Sequence, residues 1–268
     1  MATTGRLACV GLGMLLGGHL SPRAQAEIQQ ADVVFAAVSD PLVELWVKGM
    51  HADVRSLQPC YAEGKSRLQT YDDMLELVMT SVRAGLRVCG VFYGHPGVFA
   101  RMPHRAIAKA RAEGFTAHME PGISAEDCLY ADLGIDPGDV GCQHFEASQF
   151  LVYRRRVDPS AYLVLWQVAL AGDRTHRRYA TGPAHRALLV ERLAADYPLA
   201  HPVTIYEAAT LAIQKPRADV ITLRELATSE LRLQSTLVVP PAHALRPDAG
   251  MMSRVAALDA DDPAPVAC

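Results

Sequence analysis

The chain has 268 residues, of which 50% are hydrophobic and 21% are charged, and this composition is typical of a globular protein and not of a disordered one. The formal net charge of −3 argues against a general nucleic-acid-binding face or anionic-membrane-binding face, because both need an excess of basic residues. The length is enough for about two domains of ordinary size.

The cysteines and the apolar runs indicate the compartment. No two of the six cysteines form a C-x-x-C pair, and Cys89 lies inside an apolar run, so buried free thiols in a reducing compartment are favoured over disulfides or a zinc site. No apolar run reaches the roughly 18 residues that a membrane-spanning helix needs. We therefore expect a cytoplasmic protein with neither a bound metal nor a membrane span.

The N-terminal segment has two interpretations. Arg6, an apolar run over residues 7–18 and the triplet A-Q-A at residues 24–26 are similar to a secretory signal with its cleavage site. Alternatively, residues 7–10 form a strand that enters a glycine-rich turn at Gly11 and Gly13. Glycines weaken a signal helix but suit a strand-to-helix turn, so the strand is favoured.

The first half alternates short apolar runs with helical patterns. The period of its apolar residues predicts a helix over residues 70–84, which Gly85 ends, and a second helix over residues 103–113. Strands are predicted at residues 7–10, 32–38, 88–93 and 115–119. Such alternation predicts an α/β layer with a mostly parallel sheet.

The second half has fewer helices for each strand, which predicts a mixed, partly antiparallel sheet. Ser124 is expected to cap one helix, and residues 183–197 form another. Strands are predicted at residues 142–146, 162–168, 203–207, 220–223 and 236–239. We predict an α/β fold of two α/β domains, residues 1–119 and 120–245, with a cleft between them and a mobile tail over residues 246–268.

Three glycine-containing segments could each form a ligand site or an ordinary turn. V-G-L-G follows the first strand, but Leu16 stands where a dinucleotide fingerprint needs its third glycine. Y-G-H-P-G-V-F at residues 93–99 stands at the carboxyl end of a buried strand, where open α/β sheets bind ligands. M-E-P-G-I-S-A at residues 119–125 is either an interdomain turn or a helix start that offers amides to a carboxylate.

Arg67 and Tyr71 stand four residues apart and share one face of a helix that begins near Ser66. A permanent cation beside a phenol favours the phenolate, which lowers the pKa of the tyrosine and suits it to work as a base. Tyr61, six residues before Arg67, could fold back over it. The alternative is a solvated helix start with ordinary amphipathic tyrosines.

Together, and in this order along the chain, the motifs resemble the tetrapyrrole-methylase superfamily, whose members use S-adenosylmethionine. Y-G-H-P-G-V-F-A, M-E-P-G-I-S-A-E-D-C-L-Y-A-D-L-G-I-D-P-G and F-E-A-S-Q-F resemble most closely the borosin peptide α-N-methyltransferases. The resemblance covers residues 5–245. It implies two α/β domains, with the cofactor S-adenosylmethionine in the cleft between them, and methylation of backbone amides in a ribosomal precursor peptide.

The resemblance also implies the site residues. The catalytic arginine and the tyrosine one turn beyond it correspond to Arg67 and Tyr71. The upstream tyrosine corresponds to Tyr61 or, without a gap, to Gln58, and either tyrosine may serve as the base. The implied cofactor contacts are Leu12, Tyr93, His95, Val98, Phe99, Ser124, Ala125, Trp166, Gln167, Tyr206, Glu207, Ala208, Ser235 and Thr236.

Partners and alternatives follow from the same resemblance. The segment after the last strand lacks a Val/Ile-rich stretch, so the chain resembles the split type, which acts on a separate precursor peptide, and the family implies a homodimer. The alternative is a tetrapyrrole C-methyltransferase, but Met14-Leu15-Leu16 replaces the P-G-D of that group. An RNA methyltransferase would need a basic face, for which residues 154–156 and 174–178 are candidates, although solvated loops are commoner.

Overall fold

The computed structural model describes residues 5–38, 40–62 and 64–261, in which two five-stranded sheets follow one another along the chain. The first sheet is parallel throughout, in the order β3-β2-β4-β1-β5. After Arg6 and Arg87, which begin β1 and β4, these two strands are apolar, as is typical of parallel strands with helices on both faces. The strands are β1 (Arg6–Gly11), β2 (Val33–Ala37), β3 (Val54–Ser56), β4 (Arg87–Phe92) and β5 (Thr116–Glu120).

Four helices complete the first half, and polar side chains cap three of them. Ser21, Asp40 and Ser66 each accept a hydrogen bond from a backbone amide of the first turn, which satisfies a donor that has no partner inside the helix. The helices are α1 (Pro22–Gln30), α2 (Pro41–Lys48), α3 (Arg67–Arg83) and α4 (Arg101–Ala112).

The second sheet is mixed, in the order β6-β7-β10-β8-β9, with β6 and β7 parallel and the other pairs antiparallel. Its strands are β6 (Cys142–Glu146), β7 (Tyr162–Trp166), β8 (Pro202–Glu207), β9 (Arg217–Thr222) and β10 (Thr236–Val239). The accompanying helices are α5 (Ala125–Leu133), α6 (Pro137–Val140), α7 (Ala147–Val152), α8 (Pro183–Leu193) and α9 (Ala249–Asp261).

The predicted fold class, a two-sheet α/β protein with a parallel first sheet and a mixed second one, is confirmed. Residues 7–10, which also resembled a signal segment, lie in the middle of the first sheet between β4 and β5. The pattern missed α1, α2, α6, α7 and the three-residue β3. The position of the domain boundary stays a prediction.

The mobility of the tail stays a prediction, whereas the burial of the cysteines differs from expectation. The described part of residues 246–268 contains α9, whose side chains through residue 260 are exposed, and residues 262–268 lie outside the described chain. The five described cysteines are unpaired, but Cys60, Cys128 and Cys142 are only partly buried. Burial raises the pKa of Cys9 to about 12, so this thiol is inert. Across the described ranges, no helix is long and apolar enough to cross a bilayer.

Three loops meet backbone to backbone where β1, β4 and β5 end. The amides and carbonyls of Gly13 and Gly94 exchange hydrogen bonds of 3.1 and 3.0 Å. A Cβ on Gly11 would stand 2.3 Å from the Gly94 oxygen, and one on Gly122 would stand 2.4 Å from the same oxygen. Glycine is therefore required at both positions because no side chain fits between the loops.

We expect Gly122→Ala to lower the free energy of unfolding by about 1–3 kcal/mol, because the new methyl group overlaps the Gly94 carbonyl and the loops must separate. The measurement is chemical denaturation. The control is Gly182→Ser at the N-cap of α8, where φ is −84°, no atom lies within 4 Å of the added Cβ and serine is a favoured residue, so its stability should not fall by more than about 0.5 kcal/mol. Equal loss in both variants would contradict the loop contact.

Candidate functional site

Loops from both halves line a cavity of about 380 Å³ that we call the central cavity. This volume lies in the range of small-molecule sites, about 300–1,000 Å³. Its walls combine aromatic rings with a few polar groups. The lining residues are Met14, Tyr93, Gly94, His95, Val98, Phe99, Ala100, Ser124, Ala125, Glu126, Trp166, Gln167, Tyr206, Ala208, Leu233, Gln234 and Thr236.

Most of the predicted cofactor contacts line this cavity, namely Tyr93, His95, Val98, Phe99, Ser124, Ala125, Trp166, Gln167, Tyr206, Ala208 and Thr236. Glu207 lines an adjoining cavity of about 470 Å³. Leu12 packs in the core of the first half, and Ser235 is fully buried. The pattern missed six lining residues, of which all but Met14 and Leu233 are immediate neighbours of predicted residues: Met14, Gly94, Ala100, Glu126, Leu233 and Gln234.

Two aromatic rings form one wall. The centroids of Phe99 and Trp166 lie 5.3 Å apart with the planes tilted by 39°. Phe99 and Gln167 adopt φ values of +48° and +57°. A left-handed backbone is costly at a residue other than glycine, so the surrounding structure must hold both residues in this conformation. Such a wall suits a flat or cationic ligand.

A chain of hydrogen bonds holds the Trp166 ring in place. The Trp166 Nε1 donates to His144 Nδ1 at 3.0 Å, so His144 Nε2 carries the proton and donates to the Tyr130 hydroxyl at 2.8 Å. Tyr130 in turn donates to Glu126 Oε1 at 3.2 Å. Burial lowers the pKa of His144, although Glu126 opposes the shift, so the neutral form that accepts from Trp166 is favoured.

A buried carboxylate lies behind the adjoining cavity. Glu207 pairs with Arg217 at 2.8 Å and with Arg232 at 3.3 Å, and Ser235 Oγ donates to it at 2.6 Å. Both arginines line this cavity together with Lys215 and Asp40, so its wall offers arginine donors that carboxylates already orient.

The structure anchors Arg67 from the other half of the chain. Arg67 opens α3, and its Nη1 donates to the Arg178 carbonyl at 2.5 Å. Its Nη2 donates to Asp173 Oδ2 at 3.2 Å, and its backbone amide donates to the His176 carbonyl at 2.9 Å. The sequence patterns did not identify Asp173.

The tyrosines predicted to work with Arg67 lie beside it. Tyr61 and Tyr71 pack against the same core, and Tyr61 lines a cavity of about 640 Å³ with Arg178 and Tyr179. Burial and the two neighbouring tyrosines raise the pKa of Tyr61 to about 12, whereas Arg67 lowers it to a smaller extent. The predicted net lowering is therefore wrong for Tyr61, because desolvation of the phenolate outweighs the attraction of the cation.

The structure thus forms two groups of predicted site residues. Among the described residues, Tyr61, Arg67 and Tyr71 do not belong to the lining of the central cavity. One segment connects the groups, since Gln167 lines the central cavity and Asp173, six residues later, binds Arg67.

The chain is similar to known methyltransferases in family and in sequence. The family model of Tetrapyrrole (Corrin/Porphyrin) Methylases matches residues 6–227. The chain is 39% identical, over 96% of its length, to a Gymnopus fusipes protein described as a "Methyltransferase/ribosomally synthesized cyclic peptide gymnopeptides precursor". It is 42% identical, over 88% of its length, to the corresponding omphalotin A precursor of Omphalotus olearius. The chain spans 62% and 58% of these relatives, respectively.

Solved structures share the fold. A cobalt precorrin-4 methyltransferase superimposes with a TM-score of 0.62 at 16% identity, covering 90% of this chain and 96% of that one. A uroporphyrin-III C-methyltransferase from Thermus thermophilus gives a TM-score of 0.62 at 21% identity, covering 92% and 99%.

We expect the hydrogen-bond chain at Trp166 to make stability depend on pH. Because the folded protein holds the pKa of His144 below its usual 6.5, the unfolded chain binds the proton more readily, and stability is lost as pH falls from 6.5 through the lower folded value. The parent should therefore unfold at a higher temperature than His144→Gln at pH 7.5, and this difference in unfolding temperature should shrink as the pH falls to 5. The control is His243→Gln at an exposed histidine. Parallel curves for the parent and His144→Gln would contradict the assignment.

Proposed function

The chain belongs to the tetrapyrrole (corrin/porphyrin) methylase family, and from that premise we propose that it is an S-adenosylmethionine-dependent α-N-methyltransferase acting on backbone amides of a borosin precursor peptide. The relatives at 39–42% identity are described as methyltransferases joined to cyclic peptide precursors, which supports a peptide substrate. The observation that carries the chemistry is the cluster of one cation with phenols, Arg67 beside Tyr61 and Tyr71.

The central cavity fits S-adenosylmethionine. The Phe99 and Trp166 rings suit a flat base or a sulfonium, and cations on the neighbouring wall, Arg217 and Arg232, suit a carboxylate. The residues that would hold it are the predicted contacts lining the central cavity, with Glu207 and its arginines alongside. When bound, the cofactor supplies a methyl group on a positively charged sulfur.

An amide nitrogen is a poor nucleophile because its lone pair is delocalised into the carbonyl. Loss of the N–H proton gives an anion in which the nitrogen is electron-rich and the oxygen carries much of the negative charge. In the proposed mechanism, Arg67 donates hydrogen bonds to that oxygen and stabilises the charge as it develops, as the donors of an oxyanion hole do. Its anchored guanidinium needs no rearrangement at the moment of reaction.

A tyrosine accepts the amide proton. Tyr61 and Tyr71 are both within this cluster, and Tyr71 raises the pKa of Tyr61, so ionisation of one tyrosine opposes ionisation of the other. With a pKa of about 12, Tyr61 is a strong base once ionised, which suits the removal of a weakly acidic amide proton, but the ionised fraction is small. Exclusion of water and fixed geometry supply the remaining acceleration.

We further propose that the substrate is a separate peptide and that the enzyme is a cytoplasmic homodimer. The separate arrangement is what the resemblance of the sequence implies, whereas the relatives compared above are described as methyltransferase and precursor in one chain. Residues 14–16, M-L-L, lack the acidic residue that the tetrapyrrole-modifying group carries in this turn, which disfavours the alternative of tetrapyrrole C-methylation.

We expect purified protein with S-adenosylmethionine and its precursor peptide to add mass in steps of one CH₂ unit, located at backbone amides by tandem mass spectrometry. Arg67→Ala should lower the rate by about 10²–10³ because the oxygen charge loses its stabilising donor, while cofactor affinity is kept. The matched control is Arg83→Ala at the far end of α3, where an exposed ion pair with Glu113 is lost and the rate should not change. A full rate in Arg67→Ala would overturn the role of Arg67, and methylation of a porphyrinogen in place of the peptide would favour the alternative.

The pH profile identifies the base. At pH 8 about one Tyr61 in 10⁴ is ionised for a pKa of about 12, so kcat/KM should rise about tenfold per unit between pH 8 and pH 10. Tyr61→Phe should be slow and lose this slope, whereas Tyr153→Phe, at an exposed tyrosine, should keep it. If Tyr71→Phe flattens the profile and Tyr61→Phe does not, Tyr71 is the base.

A further inference from the structure

Residues 173–178, which we call the Asp173 loop, connect the second half of the chain to the start of α3. The Asp173 side chain is only 1% exposed. Its Oδ1 accepts from the Thr175 amide at 2.9 Å and from the Thr175 hydroxyl at 2.6 Å. Its Oδ2 accepts from the Arg178 amide and from Arg67 Nη2, both at 3.2 Å. The two oxygens of the carboxylate therefore have different roles. Oδ1 stabilises the loop through Thr175, and Oδ2 binds Arg67.

A buried carboxylate stays charged only if donors surround it. Burial by itself would raise the pKa of Asp173, but the bonds from Thr175 and Arg178 and the charge of Arg67 outweigh it and hold the pKa below its usual value. At neutral pH a permanent negative charge therefore lies against the guanidinium. The charge-assisted bond is stronger and more directional than a neutral one.

The anchored guanidinium of Arg67 still has N–H donors with which it can bind a substrate. Free in solvent, an arginine side chain samples many rotamers, and fixing them costs free energy. Here Asp173 holds Nη2 and the Arg178 carbonyl holds Nη1, which occupies two of the five N–H donors of the side chain. Both anchors come from the Asp173 loop, and the loop follows Gln167, which lines the central cavity.

We propose that Asp173 is the positioning residue for Arg67, so that the orientation of the guanidinium toward a substrate carbonyl is set by the second half of the chain. This inference rests on the proposed function. Asp173 itself does not touch the reacting atoms; it acts by fixing a cation whose displacement by about 1 Å is enough to lose much of the rate.

The test is a kinetic comparison of Asp173→Asn with the parent. Asparagine keeps the Oδ1 acceptor for Thr175 but presents an amide donor toward Arg67 and the Arg178 amide, so the anchor is lost. We expect kcat to fall about 10–100-fold, while KM for the peptide and the affinity for S-adenosylmethionine stay within about twofold. A parent-like kcat in a folded Asp173→Asn variant overturns the proposal.

A double-mutant cycle separates positioning from general structure. If Asp173 acts through Arg67, Asp173→Asn has no further effect on single-turnover methylation in the Arg67→Ala background. If the two losses multiply, Asp173 acts independently of Arg67 and the proposal is overturned. Inactivity of the parent toward every peptide, or a full rate in Arg67→Ala, would instead contradict the proposed function, so the two failures are distinguishable.

Two further variants distinguish loss of the Asp173–Arg67 contact from a general loss of folding. Thr175→Val removes the hydroxyl bond at Oδ1 and leaves Oδ2 facing Arg67, so it should keep a rate close to that of the parent. A loss equal to that of Asp173→Asn would mean that loop integrity alone matters. If Asp173→Asn fails to bind the cofactor, Asp173→Ser replaces it, because a serine hydroxyl still accepts from the Thr175 amide but has no second oxygen for Arg67.

Discussion

The central cavity depends on a contact between backbones that leaves no space for side chains. Gly11 and Gly122 both approach the Gly94 carbonyl so closely that a single methyl group at either position would overlap it. Parallel strands end at one edge of a sheet, and this contact locks the loops that leave β1, β4 and β5 against each other. The same loops carry Phe99 and Ser124 to the cavity wall, so the positions of the ligand-facing groups follow from the glycine contact.

Two buried carboxylates beside the cavities, Glu207 and Asp173, each contact an arginine. These contacts offset the cost of burying the carboxylates and also orient the arginines. Glu207 lies between Arg217 and Arg232, and Asp173 lies against Arg67. A carboxylate removed from water without such partners would be strongly destabilising. In both places the acid fixes the direction of an arginine, and an arginine held in one direction can recognise a carboxylate or a carbonyl oxygen without first losing rotamer freedom.

The proposed chemistry needs two environments that differ, and two cavities of this chain have such different linings. The central cavity has an aromatic wall, whereas the cavity beside Tyr61 has phenols and arginines. The segment that follows Gln167 at the central cavity leads to Asp173, which binds Arg67 beside Tyr61.

Local sequence determined the elements and the glycine motifs. The apolar period of α3, the cap at Ser66 and the runs that become β6 and β10 are properties of neighbouring residues, and so is the need for glycine in three loops. Helices α1 and α2 were missed although each has a local start signal, a capping residue followed by proline at the first helical position, at Ser21-Pro22 and Asp40-Pro41.

Only the tertiary structure decided the electrostatics of the site. Resemblance placed Arg67 beside tyrosines, but no local pattern relates Arg67 to Asp173, 106 residues away, or Trp166 to His144 on the adjacent strand. The pKa of Tyr61 rises where a pairwise argument predicted a fall, because burial is a property of the whole packed chain. A sequence specifies which groups are neighbours along the backbone, whereas the energy of a charge depends on everything that surrounds it in space.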